Sequence, residues 1–158
     1  MKYFSIGELC LSDTAAAQKI DNSPSAEVRA RLTELIDNVL DPIRQEWGSG
    51  ICVTSGYRSV ALNRKVGGSP TSAHCLGYAA DTAPSNNDMA GYQRTVLSWA
   101  KKNKFDQIIL EYPDRHSVSR WIHIAVRNAA GLQRGQILTT SNGRAYRTVR
   151  PGSAYYKV

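Results

Sequence analysis

The sequence is poor in the features that would make its function easy to place. It has only three cysteines, Cys10, Cys52 and Cys75, with no CxxC spacing. An odd, scattered set of thiols argues against a disulfide framework and suits a reduced compartment. No apolar run approaches the roughly 20 residues of a membrane-spanning helix. Internal repeats, low-complexity tracts and long linkers are also missing, so one domain over residues 1–158 is expected. The stretch Met1–Leu9 lacks the continuous apolar core of a secretory signal, and a cytoplasmic location is expected from it.

Acidic residues are outnumbered, 13 against 20 Lys and Arg, for a net charge of +7. Such a surface favours polyanions. The basic residues are densest near the end (Arg127, Arg134, Arg144, Arg147, Arg150, Lys157), but no recognition helix, zinc finger or RNA-binding signature accompanies them. No nucleic-acid partner is expected.

The hydrophobic pattern alternates between two periods. Ser23 to Trp47 reads as an amphipathic helix, with Ser23 as its cap, Pro24 at the first position and Val28, Leu32, Leu35, Val39 and Ile43 on one face. Met89 to Asn103 reads as a second helix, and Val60 to Lys65 as a short one. Strands are expected at Ile51–Ser55, Ala79–Thr82, Gln107–Tyr112 and Trp121–Val126. Ile137–Thr140 and Ala145–Val149 flank Asn142-Gly143, the favoured turn of a β-hairpin. Together these predict an α+β fold: a small, mainly antiparallel sheet with helices packed on one side.

Only three histidines are present: His74, His116 and His123. His74 stands seven residues before Asp81 in a loop-to-strand segment. In the alternating strand Trp121–Val126, His123 shares a face with Trp121 and Ala125, opposite Ile122 and Ile124. A polar side chain buried there needs a partner, and a metal is one. Two imidazoles and a carboxylate suit zinc, with the fourth position left for water. Cys75 is a further candidate ligand, although its neighbours favour His74.

The segment Ser72–Asp81 fits the pattern SxHxxGxAxD and resembles the zinc D-Ala-D-Ala carboxypeptidase family, which includes phage endolysins and shares its fold with the hedgehog signalling domain. Ser55-Gly56-Tyr57-Arg58-Ser59, Asn63, Val66-Gly67-Gly68 and Trp121-Ile122-His123 resemble further elements of that family, in order, over about residues 51–126. The resemblance implies one zinc ion held by His74, Asp81 and His123, with Arg58 as the substrate-side cation and Ser72 near ligands or substrate. Many relatives carry an acidic residue three before the last histidine ligand; here that residue is Arg120, which cannot accept a proton. Glu111 is then the expected general base, with Asp114 and His116 as alternatives and His116 also a possible substrate or oxyanion contact.

The implied activity is hydrolysis of peptidoglycan stem peptides, by a D-Ala-D-Ala carboxypeptidase or an endolysin-type endopeptidase. A monomer acting on the wall after release from the cytoplasm, in a phage or prophage setting, completes the expectation. The alternative is a non-catalytic, zinc-containing wall-binding or virion module.

Overall fold

A computed structural model describes all 158 residues. Two short helices that the periodicity did not announce open the chain, α1 (Ile6–Leu9) and α2 (Asp13–Gln18). Each is capped by a serine hydroxyl: Ser5 accepts from the Glu8 N–H at 3.1 Å and Ser12 from that of Ala15 at 3.2 Å. With only one or two turns each, they are too short to show a helical period.

The long expected helix begins two residues late, as α3 (Ala26–Leu35). Ser25, not Ser23, caps it by accepting from the Val28 N–H at 3.2 Å. The Ser23 N–H is held by the Asp21 carboxylate at 2.8 Å, a turn that leaves Pro24 outside the helix. The helix then widens into one π-turn (Ile36–Leu40) before α4 (Asp41–Trp47). Pro42, which has no N–H to give, follows directly, and the widened turn lets the chain carry it without breaking. Val60–Lys65 forms α5 and Met89–Ala100 forms α6.

Six strands make one sheet in the order β1-β2-β4-β3-β5-β6: Ile51–Ser55, Ala79–Pro84, Gln107–Glu111, Trp121–Ala125, Gln136–Thr140 and Arg147–Thr148 as β1 to β6. All neighbours are antiparallel except β3 and β5. The sheet is therefore mainly antiparallel, as the patterning predicts. The expected closing hairpin is looser than a two-residue turn. The Asn142 side chain accepts the N–H groups of Arg144 and Ala145, both at 2.9 Å, and winds the chain into a wider loop. That leaves β6 with only two residues.

Strand alternation gives the sheet two different faces. Ala80, Ile108, Leu110, Ile122 and Ile124 point to one side, where they join Leu32, Leu35, Ile36, Leu40, Ile43, Val96 and Trp99 of the helices in the main core. The long helices α3, α4 and α6 thus pack on this face. Asp81, Gln107, Ile109, Glu111, Trp121, His123, Ala125 and Leu138 point to the other, into a cleft of about 660 Å³. One buried side chain ties the elements around this arrangement. Gln93 of α6 donates to the Ser117 and Tyr155 carbonyls and accepts from both the N–H and hydroxyl of Ser119.

Candidate metal centre

Asp81 and His123 are direct partners across β2 and β4, and the same row continues through Ile109 of β3 to Leu138 of β5. His74 reaches the row from a 3₁₀ turn, Ala73–Leu76, where the Ser72 hydroxyl accepts from the His74 N–H at 3.4 Å. Gly77 ends that turn in the left-handed region at φ 77°, where a Cβ would be strained and would crowd Val28 at 3.0 Å. The chain is turned directly into β2, and seven residues separate the two ligand candidates.

The three side chains converge. His74 Nε2 lies 3.1 Å from His123 Nδ1 and 3.2 Å from Asp81 Oδ1, and His123 Nδ1 lies 2.9 Å from Asp81 Oδ1. A tetrahedral zinc ion bonded at about 2.0–2.1 Å keeps its ligand atoms about 3.3–3.4 Å apart. The triangle is thus one slightly contracted face of such a tetrahedron. Protons alone do not satisfy it. His74 Nδ1 sits 2.7 Å from the Gly56 carbonyl, which can only accept, so that nitrogen carries the proton and Nε2 offers a lone pair. The Asp81 carboxylate also accepts only. A single N–H on His123 Nδ1 cannot serve both neighbours, whereas one cation satisfies all three lone pairs.

The electrostatics favour the metal-ready forms. Burial pushes His74 below its ordinary pKa and keeps it neutral. Burial alone would raise Asp81, but the hydrogen bond from His123 Nδ1 pulls the carboxyl down and keeps it ionised. A neutral imidazole and an ionised carboxylate are the states that bind metal. The support behind His74 is rigid. A Cβ at Gly56 would lie 2.2 Å from the Leu9 carbonyl oxygen, so only glycine lets α1 come this close. The Tyr57 N–H then donates to that same oxygen at 2.7 Å.

With this geometry in hand, the comparison with known families is decisive. The family model described as peptidase M15 matches residues 2–125. The chain belongs to the peptidase M15 family. No curated protein matches the chain significantly. M15 enzymes are zinc-dependent metallopeptidases, and the His74–Asp81–His123 cluster is the group of side chains here able to hold such an ion.

The other residues singled out in this M15 chain divide clearly. Arg58 and Ser72 line the cleft with the cluster. No carboxylate of the chain pairs with Arg58, and its buried Nε has no hydrogen-bond partner. Glu111 faces the cleft opposite Trp121, one pleat along from the Ile109–His123 pair. It is therefore a diagonal neighbour of His123, within reach of a longer side chain. Burial raises its pKa, and repulsion from Asp81 adds to this, while His123, Trp121 and Arg58 pull the other way.

Arg120, three residues before His123, has an exposed side chain that lies 5.9 Å over the Trp121 ring, while its N–H donates to the Glu111 carbonyl. Asp114 and His116 are not among the cleft-lining residues. The Asp114 carboxylate is engaged by the N–H groups of His116 and Val118, and this tight loop carries the His116 ring outward to Arg115 Nε at 3.0 Å. Cys75 is likewise outside the cluster. Residues that sequence reasoning passes over include Ile109 and Leu138 of the cleft floor and the Tyr146 wall, which faces the cleft together with Tyr112. The register that brings β5 beside β3 leaves no local signal.

Proposed function

We propose that the protein is a zinc peptidase that hydrolyses amide bonds in peptidoglycan stem peptides. The observation that carries this reading is the buried His74–Asp81–His123 triangle on the cleft floor, with Glu111 one pleat away. His74 Nε2, Asp81 Oδ1 and His123 Nδ1 would hold the ion. Zinc supplies Lewis acidity, polarising the scissile carbonyl and making water acidic enough to lose a proton near neutral pH.

The chain's own residues do the rest. The Glu111 carboxylate takes the proton from the attacking water as the C–O bond forms. It then delivers that proton to the leaving nitrogen as the C–N bond breaks. Partial burial holds this carboxyl above its ordinary pKa, which strengthens it as the base for the first transfer. Arg58 offers unpaired N–H donors in a fork suited to two oxygens of the substrate. Ser72 orients the His74 turn and presents its hydroxyl to the cleft. A stem peptide suits the site because it is short and carries carboxylates, and the net charge of +7 favours an anionic wall.

The test is mass spectrometry of defined peptidoglycan fragments incubated with the zinc-loaded protein, with chelator, and with Glu111→Gln. Zinc-dependent cleavage that collapses in the variant is the expected result. Intact fragments in the presence of zinc-loaded protein would refute the reading and leave a wall-binding module.

A further inference from the structure

The cleft does not stop at the metal cluster. Along β4, His123 is the middle of three cleft-facing residues, with Trp121 before it and Ala125 after it. Along β3, Gln107, Ile109 and Glu111 repeat the pattern, with Ile109 opposite His123. At about 3.3 Å per residue, the floor runs about 7 Å to each side of the ligand row. Beyond it the cleft continues both ways, to Tyr112 and Tyr146 past Glu111, and to Asn128 and Arg134 past Gln107.

An enzyme that removes one terminal residue needs a wall that ends the cleft one residue past the scissile bond, with a free cation on that wall for the terminal carboxylate. Arg134, the cation past Gln107, is already spent. Its Nε and one terminal nitrogen fork onto the buried Asp106 carboxylate, each at 2.7 Å. Arg58 is anchored beside the cluster, its backbone N–H on the His74 carbonyl at 3.2 Å, and not at an end of the cleft.

The Glu111 end is aromatic. Tyr112 and Trp121 lie with ring centroids 4.9 Å apart, and the Tyr146 hydroxyl donates to the Gly143 carbonyl at 3.1 Å. Tyr112 and Tyr146 stay 39% and 48% exposed. Tyr112 is also held in the left-handed region at φ 48°, which a bulky side chain rarely adopts, by its N–H on the Thr140 carbonyl at 2.8 Å. Backbone strain kept at a cleft wall is a mark of a working surface. Tyr146 belongs to the segment beyond residue 125, outside the region that the family model matches.

Resting on the peptidase reading above, we propose that this enzyme cuts internal bonds, holding substrate residues on both sides of the metal. The Tyr112–Trp121–Tyr146 end forms the subsite for the peptide segment on the Glu111 side. Apolar faces of stem residues pack on these rings while main-chain groups meet the two tyrosine hydroxyls.

The experiment uses zinc-loaded protein and synthetic stem peptides, extended stepwise on either side of the cleaved bond, with the C-terminal carboxyl free or amidated. Internal products are expected, with kcat/KM rising about tenfold or more on extension and little affected by amidation, because remote contacts are realised at the transition state. Release of only the terminal residue, abolished by amidation, would overturn the proposal and leave the peptidase standing. No cleavage of any peptide would overturn both. Tyr112→Gly suits the left-handed backbone, so it should keep its melting temperature and lose the gain from extension on the Glu111 side. Retention of that gain in Tyr112→Gly and in Tyr146→Ala would remove the aromatic subsite.

Discussion

Zinc should stabilise this fold measurably, and Asp81→Asn should abolish most of that effect. His123 lies 42 residues from Asp81 and 49 from His74, so the unfolded chain offers no assembled trio. Binding to the folded state alone adds RT ln(1 + [L]/Kd), about 4 kcal/mol when free zinc is a thousandfold above Kd. For a chain of this length each kcal/mol moves the midpoint by about 2–4 °C, so a rise of about 8–16 °C is expected. Asn at position 81 keeps the shape of the side chain but removes the anion that completes the triangle, and the rise should shrink to a few degrees. Calorimetry of chelator-stripped protein titrated with zinc near neutral pH, with magnesium as control, reads the effect. An unchanged midpoint, or an equal rise in Asp81→Asn, would refute the assignment. The second result would send the ion to other donors, such as the thiols of Cys10, Cys52 and Cys75.

Five further outcomes are expected. Glu111→Gln should lower kcat by about 10²–10⁴-fold with little change in zinc content, checked by steady-state kinetics and metal analysis. Because the base works when deprotonated and its pKa is raised, the acid limb of kcat/KM in the wild type should fall above the ordinary glutamate value of about 4.3. Burial lowers the pKa of His74, so the unfolded chain binds a proton that the folded one refuses. Metal-free protein should therefore lose stability as pH drops through about 6.5, seen as a falling denaturation midpoint. Arg58→Ala should raise KM about tenfold, and Arg58→Lys should restore little, since an ammonium cannot fork onto two oxygens. Gln93→Leu removes the tie among α6, the loop after Tyr112 and the C-terminal segment. A loss of about 2–4 kcal/mol is expected in chemical denaturation, from several hydrogen bonds and the polar groups left unpaired.

The parts of this molecule that were legible in sequence are those written in short-range periods. Alternation along Trp121–Val126 placed His123 opposite Ile122 and Ile124, and the helical spacing of Val28, Leu32 and Leu35 announced the main core helix. What escaped depends on contacts between distant segments. Nothing local says that β5 lies parallel beside β3, so Leu138 and Tyr146 were not read as cleft residues. The π-turn before Pro42 follows from the helix continuing through a proline, whereas the local rule predicts a break. His116 is the opposite case: it is near Glu111 in sequence, yet the Asp114-centred turn directs its ring outward. The cap at Ser25 was misplaced by two residues because Asp21 had already claimed the Ser23 N–H.

The two-faced construction of β2 and β4 also bears on how the chain reaches its native pairing. Asp81 and His123 alternate with Ala80, Thr82, Ile122 and Ile124, so sliding either strand by one residue would bury the charge and present isoleucine to the cleft. Only the correct alignment brings together the three side chains proposed to hold the ion. Metal capture during refolding would then act as a proofreading step, since misaligned chains would gain nothing from the ion while aligned ones would be trapped by it. A cell short of zinc would accumulate idle enzyme and, alongside it, chains still searching for their partners across the sheet.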